Sequence, residues 1–179
     1  MSIQIRRVQA DEWAAVRTFR LHALRDPAAS VAFLESYDEA AARPDELWQQ
    51  RAAGASVGDG ALQLIATAGD EWVGTLTVLV QQPGSTDHHG RTVDERRATV
   101  VGVFVRPENR GAGLIDDLLD EAAAWTAGLG IAVLTLDVHE DNPRAQAAYR
   151  RAGFAPTGEG FVGPIGPEII MARALSPAR

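Results

Sequence analysis

The stretch RPENRGAGLIDDLLDEAAAW, from Arg106 to Trp125, decides the fold of this chain. It follows the apolar run ATVVGVFV and opens an amphipathic helix, so that a strand leads through two glycines directly into a helix. Gly111 and Gly113 let the backbone approach a ligand closely, and the amides at a helix start favour an anion. The first expectation is therefore a phosphate group, and the alternative is a helix start that is merely rich in glycine.

Two familiar phosphate motifs do not fit this turn. A dinucleotide-binding G-x-G-x-x-G needs a third glycine, and Asp116 occupies that position. A P-loop needs a lysine, and all 17 basic residues of this chain are arginines. What remains is a short R-G-x-G turn, in which the amides from Arg110 to Ile115 are available to a diphosphate at the helix start.

The chain before this turn predicts strands and helices of ordinary length. IQIRRV reads as a strand, and a helix capped by Asp11 follows it and ends before Pro27. The next segment, AASVAFLESYDEAAAR, has a mixed pattern and is a short helical turn or a loop. A second helix runs from Pro44 to Gly54. ALQLIATA and WVGTLTVLV form a hairpin, QQPGSTDHHGRTVDERR is a loop, and ATVVGVFV is a central strand buried on both faces.

The chain after this turn predicts a strand, a helix and a closing strand. IAVLTLDV is a buried strand, and EIIMARAL is the last one. Between them, NPRAQAAYRRAGF carries every helix boundary signal, with Asn142 as N-cap, Pro143 at the first position and Gly153 just past the end.

Length and composition limit the possible functions. The 179 residues suit one domain, 1–179, and the absence of cysteine excludes disulfides and thiolate chemistry. A net charge of −7 argues against a nucleic-acid surface. The sequence contains neither a signal peptide nor the roughly 18 apolar residues of a spanning helix, so a cytoplasmic protein without membrane contact is expected.

Two ordered motifs resemble the GNAT superfamily of acyl-CoA-dependent N-acetyltransferases. In that family a V-x-P-x-x-R-G-x-G turn is followed, one strand later, by N-x-x-A-x-x-x-Y-x-x-x-G-F. The matching residues here are Val105, Pro107, Arg110, Gly111 and Gly113, then Asn142, Ala145, Tyr149, Gly153 and Phe154. The resemblance implies an α/β fold of layered α+β type, in which helices flank a mixed, mostly antiparallel sheet that splays open between its two central strands.

The resemblance also implies acetyl-CoA as co-substrate. Its pyrophosphate would lie on the amides of the turn, with added charge from the Arg110 side chain, and its pantetheine arm would pair with the preceding strand. The implied cofactor-binding residues are Val103, Phe104, Val105, Arg110, Gly111, Ala112, Gly113, Leu114, Ile115, Asn142, Ala145 and Tyr149. Ile115 stands where the family often has a small residue, so crowding of the phosphates is an open question.

Local positive charge is expected to offset the acidic balance of the protein at the cofactor. The arginines on or near the two motifs are Arg106, Arg110, Arg144, Arg150 and Arg151.

The same resemblance gives Tyr149 the role of general acid toward the leaving CoA thiolate, with core packing as its alternative. Asn142 is either a plain helix cap or a pantetheine ligand, and both roles are compatible. Candidates for the general base are Glu35, His139 and Glu95. Each is ordinarily a solvated surface group, and a water chain would serve as well.

His88 and His89 suggest a metal, but an adjacent pair in a polar loop is expected to be exposed. No metal site is predicted.

The resulting hypothesis is transfer of an acetyl group from acetyl-CoA to a primary amine, by direct attack in a ternary complex. The expected partner is a small-molecule or peptide amine, and a homodimer is left open. The alternative is a non-catalytic acyl-CoA-binding or sensing domain. A nucleotide-binding protein is disfavoured by the missing lysine and the missing third glycine.

Overall fold

Seven strands and five α-helices form the part of the chain that the computed structural model describes, residues 2–176. The strands are β1 (Ile3–Arg7), β2 (Ala61–Ala68), β3 (Glu71–Gln81), β4 (Arg97–Val105), β5 (Val133–His139), β6 (Ala155–Gly163) and β7 (Gly166–Ala174). The helices are α1 (Trp13–Ala23), α2 (Tyr37–Ala41), α3 (Asp45–Ser56), α4 (Leu114–Gly128) and α5 (Pro143–Arg151).

All seven strands belong to one open sheet, in the order β1-β2-β3-β4-β5-β7-β6. Every neighbouring pair is antiparallel except β4 and β5, which run parallel. A parallel pair needs a crossover connection, and α4 provides it. The predicted mixed, mostly antiparallel sheet is therefore confirmed.

Two apolar clusters cover the two faces of the sheet. On one face, α4 and α5 pack against a cluster that includes Leu118, Leu136 and Met171. On the other face, α1 to α3 pack around Phe19 and Trp48. Successive strand residues point to opposite faces of the sheet. One strand can therefore supply apolar residues to the cluster under α4 and α5 and polar residues to the opposite face.

Helix boundaries follow local signals closely where those signals are complete. In α5, Asn142 accepts a hydrogen bond from the Ala145 amide at 3.2 Å, Pro143 is the first residue, and Gly153 has a φ of 85°. The expected Asp11 cap is wrong. Asp11 lies inside a 3-10 turn before α1, and the Glu12 carboxylate instead accepts the Gln9 amide at 2.8 Å.

The strand β6 is a structural element that the sequence does not predict. It is an exposed edge strand with the sequence APTGEGFVG, which has glycine and proline but no apolar alternation. Glycines in and after β6 leave room for side chains from the neighbouring strands. A Cβ at Gly163 would lie 2.4 Å from the Glu168 carboxylate, and one at Gly166 would lie 2.5 Å from the His139 ring.

We expect Gly166→Ala to destabilise the protein by about 1–3 kcal/mol, because Gly166 has a φ of 123° as well as this contact with His139. Gly128→Ala is the matched control, since Gly128 lies in α4 with open space around its Cα and alanine favours helix. Urea unfolding measures both variants. Equal stability of Gly166→Ala and the parent would contradict this packing.

Candidate active site

The sheet opens between its two parallel strands. β4 and β5 pair only at Ala98 with Leu134, Thr99 with Thr135, and Val100 with Leu136, although both strands continue beyond these pairs. The splay implied by the resemblance is therefore present.

A bulge accompanies the splay on the other side of β4. Thr75 pairs with Phe104 and Thr77 pairs with Val101, which leaves one extra residue in β4. Gly102 lies in this bulge with a φ of 63°, a conformation that glycine adopts at little cost. The sequence gives a glycine at this position but does not predict the bulge.

A cavity of about 930 Å³ occupies the splay. Every predicted cofactor residue except Ala112 lines it, and two of the three base candidates do so as well, namely Glu35 and His139. Glu95 is exposed and is not among the lining residues. The fold thus brings the two sequence motifs to one place, although they are separated by a helix and a strand.

Five consecutive amides at one end of the cavity have no acceptor among the described residues. The Arg110 amide donates to Pro107 and the Asp116 amide to Gly113, and no described group accepts from the amides of residues 111–115 between them. Gly111 and Gly113 have φ values of 79° and 85°, which turn the backbone into the start of α4. A row of free amides at a helix N-terminus suits an anion such as a diphosphate.

The Arg110 side chain does not point freely toward this amide row. Its Nε donates to the Val105 carbonyl at 2.9 Å, and its guanidinium bonds the buried Asp26 carboxylate. Burial opposes ionisation of Asp26, but the hydrogen bonds from Arg110 and the Ala28 amide, together with the charges of Arg110 and Arg144, lower the pKa of Asp26. The charge of Arg110 is therefore already paired, and its side chain ties the turn to the end of β4.

The other arginines near the motifs also have partners. Arg106 donates to the Trp72 carbonyl at 2.7 Å, Arg150 contacts Gln146, and Arg151 lies 3.4 Å from Asp116. Arg144 and Arg151 line the cavity with more than half of each side chain exposed. The two most exposed of these arginines that line the cavity are thus Arg144 and Arg151.

Tyr149 is both a core residue and a cavity residue. It packs with the α4 and α5 cluster beside Phe154, and it also lines the cavity two turns along α5 from Asn142. Burial raises the pKa of Tyr149 to about 12, so its hydroxyl keeps its proton throughout the neutral range. The two interpretations of this residue from sequence are compatible in the structure.

Glu35 is a buried ion-pair residue rather than a solvated surface group. Its carboxylate lies 3.0 Å from Arg20, 2.8 Å from Arg43 and 3.8 Å from Arg51. Burial opposes ionisation, but these three positive charges outweigh it and lower the pKa of Glu35. A carboxylate held in this way is a poor proton acceptor.

His139 is also buried, and both of its ring nitrogens are engaged. Nε2 lies 2.9 Å from the Ile165 carbonyl, and Nδ1 accepts the Asp141 amide at 3.0 Å. These contacts fix the tautomer with the proton on Nε2. His139 therefore holds the β5 terminus in place and has no free nitrogen for an acceptor amine.

The pair His88 and His89 is not exposed, contrary to the prediction from sequence. The side chains are 21% and 3% exposed, and both Nε2 atoms face Oδ2 of Asp137, at 3.6 and 3.1 Å. Burial and the neighbouring His89 lower the pKa of His88 to about 4. Both rings line the cavity.

Asp87 organises the loop that carries these histidines. Its carboxylate accepts the amides of His89 and Arg91, and it also bonds the side chains of Arg91 and Arg97. Burial opposes ionisation, but the Arg91 and His89 amides and the Arg91 side chain lower the pKa of Asp87 to about 2. The loop also packs on β6, where Phe161 contacts His89 and Arg91.

Two buried acids in the cavity were missed from sequence. Asp137 interrupts the apolar strand IAVLTLDV, and Glu168 opens the apolar run EIIM, so an acid inside a predicted buried strand was the available signal. Burial and the charge of Asp137 raise the pKa of Glu168. The atoms of His88, His89 and Asp137 lie close enough for a metal, within 4.8 Å of one another, but Arg91 donates to the same Asp137 oxygen at 3.2 Å.

This arrangement, an open mixed sheet with a free amide row beside the splay, is the one that the resemblance predicts. A family model described as the acetyltransferase (GNAT) family matches residues 18–154. The chain belongs to this family.

Similar proteins agree with that assignment. An aminoglycoside N(6')-acetyltransferase type 1 from Stenotrophomonas maltophilia is 30% identical over 99 residues, which are 55% of this chain and 62% of that relative. A GNAT-family acetyltransferase from Streptococcus pneumoniae has a TM-score of 0.77 at 17% identity, covering 98% of this chain and 100% of that one. PaiA N-acetyltransferase from Thermoplasma acidophilum, in complex with coenzyme A, has a TM-score of 0.72 at 19% identity, covering 97% and 99%.

Among residues 2–176, none of the helices is both long enough and apolar enough to cross a membrane.

We expect Gly113→Glu to weaken binding of coenzyme A at least tenfold, because the side chain brings bulk and negative charge into the amide row. Gly69→Glu is the matched control, since Gly69 also has a positive φ and open space but lies in the β2–β3 turn. Calorimetric titration with coenzyme A compares the two variants. Unchanged affinity in Gly113→Glu would move the phosphate site elsewhere.

Proposed function

We propose that this protein transfers the acetyl group of acetyl-CoA to a primary amine, by direct attack of the amine on the thioester in a ternary complex. The observation that carries this proposal is one cavity in the splay. Its lining includes both residues of the free amide row and a buried polar cluster.

The amide row suits the pyrophosphate of acetyl-CoA, and the edge of β4 suits its pantetheine arm. Beyond Val100, β4 has no strand partner on its β5 side, so its backbone groups there are available to an extended ligand. The residues Val103, Phe104 and Val105 line this part of the cavity. An amide of this segment would also polarise the thioester carbonyl.

Asn142 would contribute to the same ligand while capping α5. Its Oδ1 accepts the Ala145 amide, which leaves the Nδ2 protons for a pantetheine carbonyl. Ala145 follows on the same face of α5 and, with its small side chain, leaves space beside the ligand. Because Arg110 forms an ion pair with Asp26, its role in this proposal is to position the turn. Its side chain does not bind the phosphates.

Tyr149 would donate a proton to the CoA sulfur as the thiolate leaves. Its buried hydroxyl remains protonated at neutral pH, and no described protein group hydrogen-bonds it. Both features are suitable for a general acid that faces a reacting sulfur.

The acceptor end of the cavity has a mixed charge pattern. Arg20, Arg43 and Arg51 surround Glu35, and the acids Asp137 and Glu168 also line the cavity. A primary amine therefore has acidic partners here, whereas a strongly polycationic acceptor would also meet the arginine cluster. The relative from Stenotrophomonas maltophilia makes an aminoglycoside the first acceptor to test, alongside polyamines, amino acids and short peptides.

The test is CoA release by purified protein with this amine panel, together with mass spectrometry of the product. Acetylation of any primary amine supports the proposal. Tight acetyl-CoA binding without acetylation of any amine would favour the alternative, a non-catalytic acyl-CoA-binding or sensing domain.

We expect Tyr149→Phe to lower turnover by at least tenfold, because it removes only the hydroxyl that would protonate the thiolate. Coenzyme A affinity and melting temperature should stay close to those of the parent. Tyr37→Phe is the control, since Tyr37 is in α2 and its hydroxyl contacts Arg25. Steady-state kinetics on the amine with the highest activity decides the point, and full turnover in Tyr149→Phe would exclude the acid role.

A further inference from the structure

Two buried polar atoms at the acceptor end of the cavity face each other without a hydrogen-bond partner. They are Nδ1 of His89 and Oε1 of Glu168, which lie 3.9 Å apart. Both residues are almost fully buried, with side chains 3% and 5% exposed. Unpartnered buried polar atoms are rare because each one is costly, so this pair needs a physical explanation.

The contacts of the two residues leave both facing atoms as acceptors, and one shared proton would remove this mismatch. The other ring nitrogen of His89, Nε2, lies 3.1 Å from Asp137, which places the ring proton on Nε2 and leaves Nδ1 as an acceptor. An ionised Glu168 is an acceptor as well, so two acceptors would face each other. A proton on Glu168, or a second one on His89, would give this 3.9 Å contact one donor and one acceptor, and the raised pKa of Glu168 makes its carboxylate a stronger base.

The charged groups around the pair come from each neighbouring element. Asp137 and His139 face it from β5, and Glu168 itself belongs to β7. His88, Asp87 and Arg91 face it from the loop before β4. The nearest formal charges thus have both signs, with Asp87 and Asp137 negative and Arg91 positive.

The position of the pair is suited to proton transfer from an acceptor amine. Asp137 is the first residue of β5 beyond the last pair with β4, and Glu168 lies opposite His139, two residues further along β5. The cavity is lined by His88, His89, Asp137 and Glu168. The other base candidates are occupied or remote, since Glu35 is held by three arginines, His139 uses both nitrogens, and Glu95 does not line the cavity.

We propose that Glu168 is the general base of this enzyme, and that His89, oriented by Asp137, receives the proton from Glu168. This proposal rests on the acetyl transfer proposed above. The acceptor ammonium loses one proton to the Glu168 carboxylate, and the neutral amine attacks the thioester carbonyl carbon. A C–N bond forms and the C–S bond breaks.

The protons balance in this sequence. The ammonium nitrogen loses two protons in becoming an amide. One passes through Glu168 and His89 to solvent, and the other replaces the proton that Tyr149 gives to the CoA sulfur. The net products are the acetylated amine, CoA with its thiol protonated, and one released proton.

The first test is the isosteric variant Glu168→Gln. We expect turnover with an amine that the parent protein acetylates to fall by about 10²- to 10⁴-fold. Coenzyme A affinity should stay within twofold of the parent. The acidic limb of the profile of kcat/KM against pH, which reports the base, should disappear. Asp137→Asn should lower the midpoint of that limb, because the charge of Asp137 raises the pKa of Glu168. Glu159→Gln, on the exposed β6, is the matched control.

The second test needs no acceptor. The chain has four histidines, so the ¹⁵N resonances of labelled His89 can be assigned and titrated. Because a carboxylate favours an adjacent imidazolium, Glu168→Gln should lower the titration midpoint of His89 by about one pH unit or more. Glu159→Gln should leave it unchanged.

The outcomes separate this proposal from the proposed function. Full turnover with an intact acidic limb in Glu168→Gln, or an unchanged His89 midpoint, would overturn the base assignment while leaving acetyl transfer in place. Activity that is lost with EDTA and restored by Zn²⁺ would overturn it in favour of a metal. If the parent acetylates no amine but His89 responds to Glu168, the proton-sharing pair stands and the acetyl-transfer proposal fails.

Discussion

The separation of two parallel strands is the constraint on which the rest of this structure depends. β4 and β5 form three residue pairs and then diverge, which leaves backbone donors and acceptors in the middle of a sheet without strand partners. Such groups need hydrogen-bond partners, and an extended ligand or water can provide them. The bulge at Gly102 lies in β4, and the turn through Gly111 and Gly113 and the start of α4 follow this strand in the chain.

Strand alternation lets the same residues build the core and the site. In β5, Leu134, Leu136 and Val138 belong to the cluster under α4 and α5, while Asp137 and His139 between and beyond them line the cavity. The packing that stabilises the sheet therefore also fixes the direction of the polar side chains. A shift of β5 by one residue would bury the acid in the apolar cluster and remove the site.

Local signals made part of this protein predictable from its sequence. The caps of α5, the glycine pair before α4 and the order of strands and helices act over a few residues, and they predicted residues of the amide row and of α5 that line the cavity. The buried polar cluster of the cavity depends on contacts between distant segments. His88 and His89 belong to a polar loop. They become buried because the Asp87 carboxylate accepts backbone amides of that loop and because Phe161 packs against the His89 ring. Phe161 lies in β6, which has almost no strand signal of its own. Three arginines likewise converge on Glu35 only through the packing of helices.

A structure of this protein with acetyl-CoA tests the central claim most directly. If the splay is the cofactor site, the pantetheine arm will lie between β4 and β5 along residues 103–105. The pyrophosphate oxygens will then accept hydrogen bonds from the amides of residues 111–115. A complex in which β4 and β5 pair along their full length, or in which acetyl-CoA lies outside this cavity, would contradict the account.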